Sequence, residues 1–213
     1  MRRIVLVTIL LACAAPHARA ESCEAEAAEL RAHLELEACK AFRWNTLWAI
    51  AFGTAAVGQL GFALAEVSPT GGDFDRATEE TLYVGATKAT IGVLARVTMP
   101  LRITVPATSG DACAQVTILR AALAEAGRRE RRSFWLTHLG GTALNLAGAG
   151  FLTARHGLTT GAVSFAISYP VGPASAYTQP RGSWKKWRAQ RATWVVGMSG
   201  GDAGAQLWLG GAW

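Results

Sequence analysis

The sequence predicts an all-α protein: a helical membrane-associated bundle of two helical hairpins, closed by a short C-terminal β-hairpin. Three observations carry this. The chain has 213 residues, of which 51% are hydrophobic and only 17% charged, against about 25% charged in an average soluble domain. Four long apolar segments, 44–65, 81–101, 133–154 and 157–179, fall in two pairs. Two stretches rich in Ala and Leu, 21–43 and 111–132, run into apolar segments with no Gly or Pro at the junction, which favours continuous helices.

Residues 1–20 have the organisation of a secretory signal peptide. Arg2 and Arg3 form the positive start, Ile4 to Ala12 a short apolar core, and Ala18-Arg19-Ala20 a small-residue cleavage site. The core is shorter than the roughly 20 apolar residues a spanning helix needs, so cleavage after Ala20 is expected. Leu10-Leu11-Ala12-Cys13 also fits a lipoprotein site with Cys13 lipidated, and the two readings stay open. Either places the chain in the bacterial cell envelope, with inner and outer membrane undecided.

Residues 21–43 form an acidic exported helix. They lack Gly and Pro, and Cys23, Ala27, Leu30, Leu34 and Ala41 fall on one narrow stripe at 3.6 residues per turn. Trp44 to Ala65 follows as 22 residues without a charge, the length of a membrane helix. Ala51, Ala55 and Gly58 make a small-residue ridge suited to close helix approach, and Trp44 and Trp48 suit an interfacial anchor. An acidic loop, 66–80, turns at Pro69-Thr70-Gly71-Gly72. The segment 81–101 is apolar except for Lys88 and Arg96.

The linker helix 111–132 carries Val116, Leu119, Leu123 and Ala126 on one side and ends in Arg128-Arg129-Glu130-Arg131-Arg132, a placement that suits a helix C-terminus. Segment 133–154 holds only His138 as an ionisable group, and 157–179 is uncharged but interrupted by Pro170 and Pro173. Residues 180–213 form a basic, Trp-rich tail, with a hairpin expected around Gly200 to Gly204. Gly53-Thr54-Ala55 and Gly141-Thr142-Ala143 are similar strings, which small-residue-rich membrane helices reach by composition alone.

The alternative architecture is an outer-membrane β-barrel. Apolar residues alternate from Val93 to Val105 and from Val163 to Val171, which is strand periodicity. Against it, 44–65 holds no Asp or Pro to turn on, and its one Asn, Asn45, stands at the very start, yet the segment is twice the roughly 9–11 residues of a membrane strand.

Charge is segregated. Residues 21–80 hold 4 basic and 11 acidic side chains, and residues 81–213 hold 14 and 4. Export argues against nucleic acid as the basic half's partner. The remaining counter-charges are anionic lipid headgroups, met by Trp184, Lys185, Lys186, Trp187 and Arg188, or the acidic arm itself. In a conventional inner-membrane bundle this distribution would place the acidic loop inside, against the positive-inside tendency.

No catalytic constellation stands out. Gly197-Met198-Ser199-Gly200-Gly201 matches G-x-S-x-G, but no His follows Ser199, and His33, His138 and His156 stand in no triad context. Phosphate-binding glycine loops and metal-ligand spacings are absent, so no cofactor or metal is expected. The polar residues within apolar segments, Gln59, Lys88, Arg96, His138 and Asn145, are the candidate binding residues, because ionisable groups at membrane depth suggest a solute path. Two functions follow: a non-enzymatic envelope protein with a structural or interaction role, or a small transporter or channel component for an anionic solute. Finally, Cys23 and Cys39 lie roughly 24 Å apart on a continuous helix, too far to bridge. A helical hairpin returning to the level of Cys39 therefore predicts a Cys39–Cys113 disulfide with Cys23 free.

Overall fold

A computed structural model describes the backbone of residues 2–65, 75–191, 194–201 and 204–211, and the side chains of 21–65 and 75–191. The order of helices is α1 (Arg2–Ala65), α2 (Arg76–Thr98), α3 (Ala112–His156), α4 (Leu158–Ser168), α5 (Val171–Tyr177) and α6 (Gly182–Arg191). The class is all-α. Two extended segments, β1 (Trp194–Gly201) and β2 (Gly204–Gly211), follow; residues 202–203, on which the expected hairpin turns, lie outside the described residues. So do residues 66–74, with the expected turn at 69–72, and the side chains of the signal segment with Cys13.

Sequence explains where the helices begin and stop. Asp75 caps α2 by accepting the Thr78 N–H at 2.8 Å, and Asp111 accepts the Ala114 N–H at 3.1 Å at the start of α3; both are short acceptors of the preferred capping type. The absence of a breaker near residues 132–133 fuses the linker helix with the third apolar segment, so α3 is 45 residues long. The Arg128–Arg132 run therefore lies mid-helix, not at a helix C-terminus as its composition suggested. Gly157, at φ +87°, ends α3 in a conformation that costs other residues energy. Pro170 separates α4, of 11 residues, from α5, of 7. The fourth apolar segment is thus two short helices, because the proline lacks the N–H that would continue the first.

The barrel alternative is overturned: Val93 to Thr98 lies in α2 and Val163 to Ser168 in α4. Strand-like alternation survives only in the non-helical stretch after α2, where Leu101 and Ile103 are buried and Arg102 and Thr104 exposed. Two residues per face in one unpaired stretch make no sheet.

The chain divides into two compact units. The first comprises Met1–Ala38, Ile103–Arg128 and Arg181–Trp213. Here the expected stripes form a conventional core: Ala27, Leu30 and Leu34 of α1 and Val116, Leu119, Leu123 and Ala126 of α3 are all buried. Cys23 bonds Cys113, and Glu26 pairs with Arg120 at 2.6 Å, so these parts of α1 and α3 run parallel. Segment α6 runs the other way, with Glu37 accepting the Gly182 N–H at 3.1 Å and Glu29 pairing with Lys186 at 2.6 Å. A carboxylate at a helix N-terminus is favoured by the helix dipole, and a Cβ on Gly182 would fall 2.4 Å from Glu37 Cδ.

The disulfide corrects the expected Cys39–Cys113 pairing; Cys39 is a free, exposed thiol. The chain after α2 does not turn directly into α3. It first runs as non-helical backbone, and Arg31 donates to Thr108. Arg31 is eight residues, or about 12 Å of helix, N-terminal to Cys39. By residue 113 the chain has passed Cys39 and arrived beside Cys23.

The second unit comprises Cys39–Arg102 and Arg129–Pro180. Two antiparallel hairpins form it, packed through glycines. In the first, a Cβ on Gly92 of α2 would lie 2.8 Å from the Phe52 ring of α1, and one on Gly85 would strike the Gln59 side chain. In the second, Gly161 of α4 faces Thr153 of α3. The expected ridge of Ala51, Ala55 and Gly58 is instead exposed, because the glycines that admit a neighbour lie on α2.

Polarity in this unit is inverted relative to the first. Leu47, Ile50, Val57, Leu139, Val163 and Ile167 are exposed, while Asn145, Ser164, Ser175 and Gln179 are buried. Trp44 is buried too, so it is no interfacial anchor: its Nε1 donates to the Ser175 carbonyl at 3.1 Å. Trp48 donates to Thr178 at 3.0 Å. Among the described residues one helix, Glu21–Ala65, is long and apolar enough to cross a membrane.

Candidate functional site: a cationic cavity

Within the second unit α1, α2, α3, the end of α4 and α5, with the backbone just after α2, line an open cavity of about 1020 Å³. Each element contributes polar groups on an otherwise apolar face. Lys88 and Arg96 come from α2, Arg102 from the stretch after it, Arg129, Arg132 and Asn145 from α3, Ser168 from the end of α4 and Ser175 from α5. Five of the lining residues are cations and none is a carboxylate.

Lys88 Nζ donates to Asn145 Oδ1 at 3.2 Å and to Ser168 Oγ at 2.8 Å. Ser168 donates to Asn145 Oδ1 at 2.7 Å, and Asn145 Nδ2 donates to the Gly141 carbonyl at 2.9 Å. The close fit depends on Gly148, since a Cβ there would meet Val84 at 3.0 Å and Lys88 Cδ at 3.3 Å. Arg96 donates to Ser175 Oγ at 2.7 Å and lies 4.0 Å above the Trp44 ring, a cation–π contact. Its Nε is buried without a hydrogen-bond partner. Arg129 reaches the Arg102 carbonyl at 3.4 Å, which brings these two residues to the same end of the cavity.

Of the five residues expected from sequence, Lys88, Arg96, Asn145 and Gln59 line this cavity; Gln59 also donates to the Ala55 carbonyl at 3.1 Å. His138 does not. It packs against Phe134, Trp135 and Tyr177, with ring centroids 5.9–6.3 Å away, and its Nδ1 is buried without a hydrogen-bond partner. The aromatic cluster occupies that part of α3, so the shared face with Asn145 does not become a shared site. Sequence reasoning missed Ser168, Ser175 and the three arginines. The serines had a signal, hydroxyls within an uncharged segment; Arg129 and Arg132 had none once their run was assigned to a helix end, and Arg102 none as the first charge beyond an apolar segment.

A second cavity, of about 490 Å³, lies between α2 and α3 and also has Lys88 in its wall, together with Glu80, Thr87, Gly148 and Arg155. Glu80 is held by Arg155 at 2.5 and 2.7 Å, by His156 at 2.9 Å and by Arg76 at 3.2 Å. Hydrogen bonds from Arg155 first, then from His156, bring its carboxyl down to about 2, and the same contact raises Arg155.

In the first unit the basic tail finds a partner within the chain. Lys186 pairs with Glu29, whose carboxyl is lowered by that bond, and Trp187 lies against Gly127. Lys185 and Arg188 remain exposed. Among the described residues no group of His, Cys, Asp and Glu could hold a metal ion. No protein-family model matches the chain, and no curated protein or solved structure shows significant similarity to it.

Proposed function

We propose that this chain is a non-enzymatic membrane protein of the bacterial cell envelope that takes an anionic solute into the cavity walled by Lys88 and Arg96. One observation carries the reading. Two cations in a long apolar segment converge on one cavity and bond only neutral oxygens; among the described residues Lys88 and Arg96 have no carboxylate within 4.0 Å. A charge removed from water without a counter-charge is costly, and an anionic ligand offsets that cost. The alternative, a purely structural role, would be served as well by neutral residues at both positions.

Membrane insertion is supported by the second unit's outward-facing leucines, isoleucines and valines, which in water would leave much apolar surface uncovered. Anionic headgroups would meet Trp184, Lys185 and Arg188 at the tail, and the hairpin of β1 and β2, paired from Trp194 with Gly211 to Gly201 with Gly204, would complete it.

The test uses the full chain. Resistance to carbonate extraction is expected, together with a rise in melting temperature on adding inorganic phosphate at constant ionic strength; the Lys88→Met variant should lose most of that rise. Complete release by carbonate would refute the membrane assignment. A wild-type melting temperature indifferent to phosphate would refute the anion site.

A further inference from the structure

The two cavities share Lys88, and this placement supports more than a binding site. Helix α2, Arg76–Thr98, has 23 residues and is about 34 Å long, close to the roughly 30 Å hydrocarbon thickness of a bilayer. Lys88 and Arg96 stand eight residues apart on α2, a spacing of about 12 Å. Arg102, Arg129 and Arg132 line one end of the larger cavity; Arg155 lines the smaller one, on the far side of Lys88. Cations therefore recur from Arg155 to Arg102, and Lys88 and Leu144 line both spaces, with Asn145 and Ser168 holding Lys88 from the side of the larger one.

Resting on the anion-binding reading, we propose that the two cavities form one conduit for a small inorganic anion, with the Lys88–Asn145–Ser168 cluster as its gate. Ring-like or stepwise cationic groups lower the barrier for an anion crossing a low-dielectric region. At the gate, the ammonium and the Ser168 hydroxyl can both turn from Asn145 Oδ1 toward a passing anion, and Asn145 re-accepts them afterwards. No bond is made or broken. A compact anion fits this cluster, since its donors sit within 2.7–3.2 Å of one acceptor, with no room there for a bulky headgroup. At the outer end of the smaller cavity Glu80 neutralises Arg155, so that end releases the anion instead of trapping it.

The experiment is chloride efflux from phosphatidylcholine vesicles holding the purified full chain, with potassium efflux measured in parallel. Wild-type protein should release chloride at least about tenfold faster than empty vesicles and leave potassium at background. Lys88→Met should abolish chloride release, and Lys88→Arg should retain part of it. Gly140→Phe is a second, independent block: Gly140 lines the larger cavity and a Cβ there meets nothing within 4 Å, so the ring should plug the space without disturbing the fold. Chloride efflux at background, or efflux unchanged in both Lys88→Met and Gly140→Phe, would overturn the conduit. If phosphate still raises the melting temperature while no anion crosses, the conduit fails and the anion site stands; if neither occurs, both fail.

Discussion

Removing the Cys23–Cys113 bond by reduction, or by the double substitution Cys23→Ser and Cys113→Ser, offers a test of how the first unit is held. The bond spans 90 residues. In the chain-entropy account a loop of that length removes about 15 cal/mol/K from the denatured ensemble, or about 4.6 kcal/mol at room temperature. For a protein of this size each kcal/mol shifts the melting temperature by roughly 2–4 °C, so the expected fall is about 9–18 °C. Helix retained in the denatured chain lowers that figure, because the loop is then already partly ordered. The assay is thermal unfolding of the full chain in dodecyl maltoside, followed by far-UV circular dichroism, with and without a phosphine reductant. Non-reducing peptide mapping should find Cys23 joined to Cys113 and Cys39 alkylated. A fall smaller than about 2 °C would show that the bond closes no entropically costly loop, and mapping that finds Cys39 in the bond would refute the path traced after α2.

Three further outcomes are expected. Glu80 has its carboxyl depressed from an ordinary 4.5 to about 2, so its stabilising contribution is present above pH 4.5 and is lost as pH falls toward 2; melting curves across that range should show an acid limb that Glu80→Gln flattens. Gly92→Ala places a methyl against the Phe52 ring and should cost about 1–3 kcal/mol, whereas Gly58→Ala, which meets nothing within 4 Å, should be neutral or gain up to about 1 kcal/mol of helix propensity; equal melting temperatures for the two would contradict the glycine-mediated packing of α1 on α2. Lys88→Met should melt within about 1 kcal/mol of the wild type, because the desolvation cost removed with the charge offsets the hydrogen bonds lost to Asn145 and Ser168, and a large destabilisation would assign Lys88 a structural role instead.

Much of this architecture was legible because helix signals here are local. The uncharged run 44–65 and the stripes Leu30–Leu34 and Leu119–Leu123 each depend on residues within a few turns of one another, whereas the cap at Asp75 was hidden in what read as an acidic loop. The disulfide was not legible, because the choice between Cys23 and Cys39 depends on where the non-helical stretch before α3 travels. Pro100 and Pro106 break the helix there but do not say where the chain goes, and its course is set by tertiary bonds such as Arg31 with Thr108. The cavity was half legible. Lys88 and Arg96 announced themselves as charges in an apolar segment; Arg129 and Arg132 reached it only because α3 continued through the arginine run instead of ending there, and Arg102 because the chain leaves α2 as non-helical backbone beside it.

The inverted polarity of the second unit changes what its sequence can tolerate. In the first unit, drift is free at outward positions such as Glu24 and Ala121 and restricted at Leu34 and Leu123, as in any water-soluble core. In the second, interchange among Leu, Ile, Val and Phe at Leu47, Val57, Leu139 or Ile167 leaves the fold's interior untouched, while a hydroxyl or amide lost from Ser175, Asn145 or Gln179 strands a bonded neighbour inside. One polypeptide thus carries two opposite substitution grammars, and the boundaries between them fall near residues 38, 102, 128 and 180. A saturation library scored for folding would recover those four positions as places where the penalty for polar residues changes sign between inside and outside.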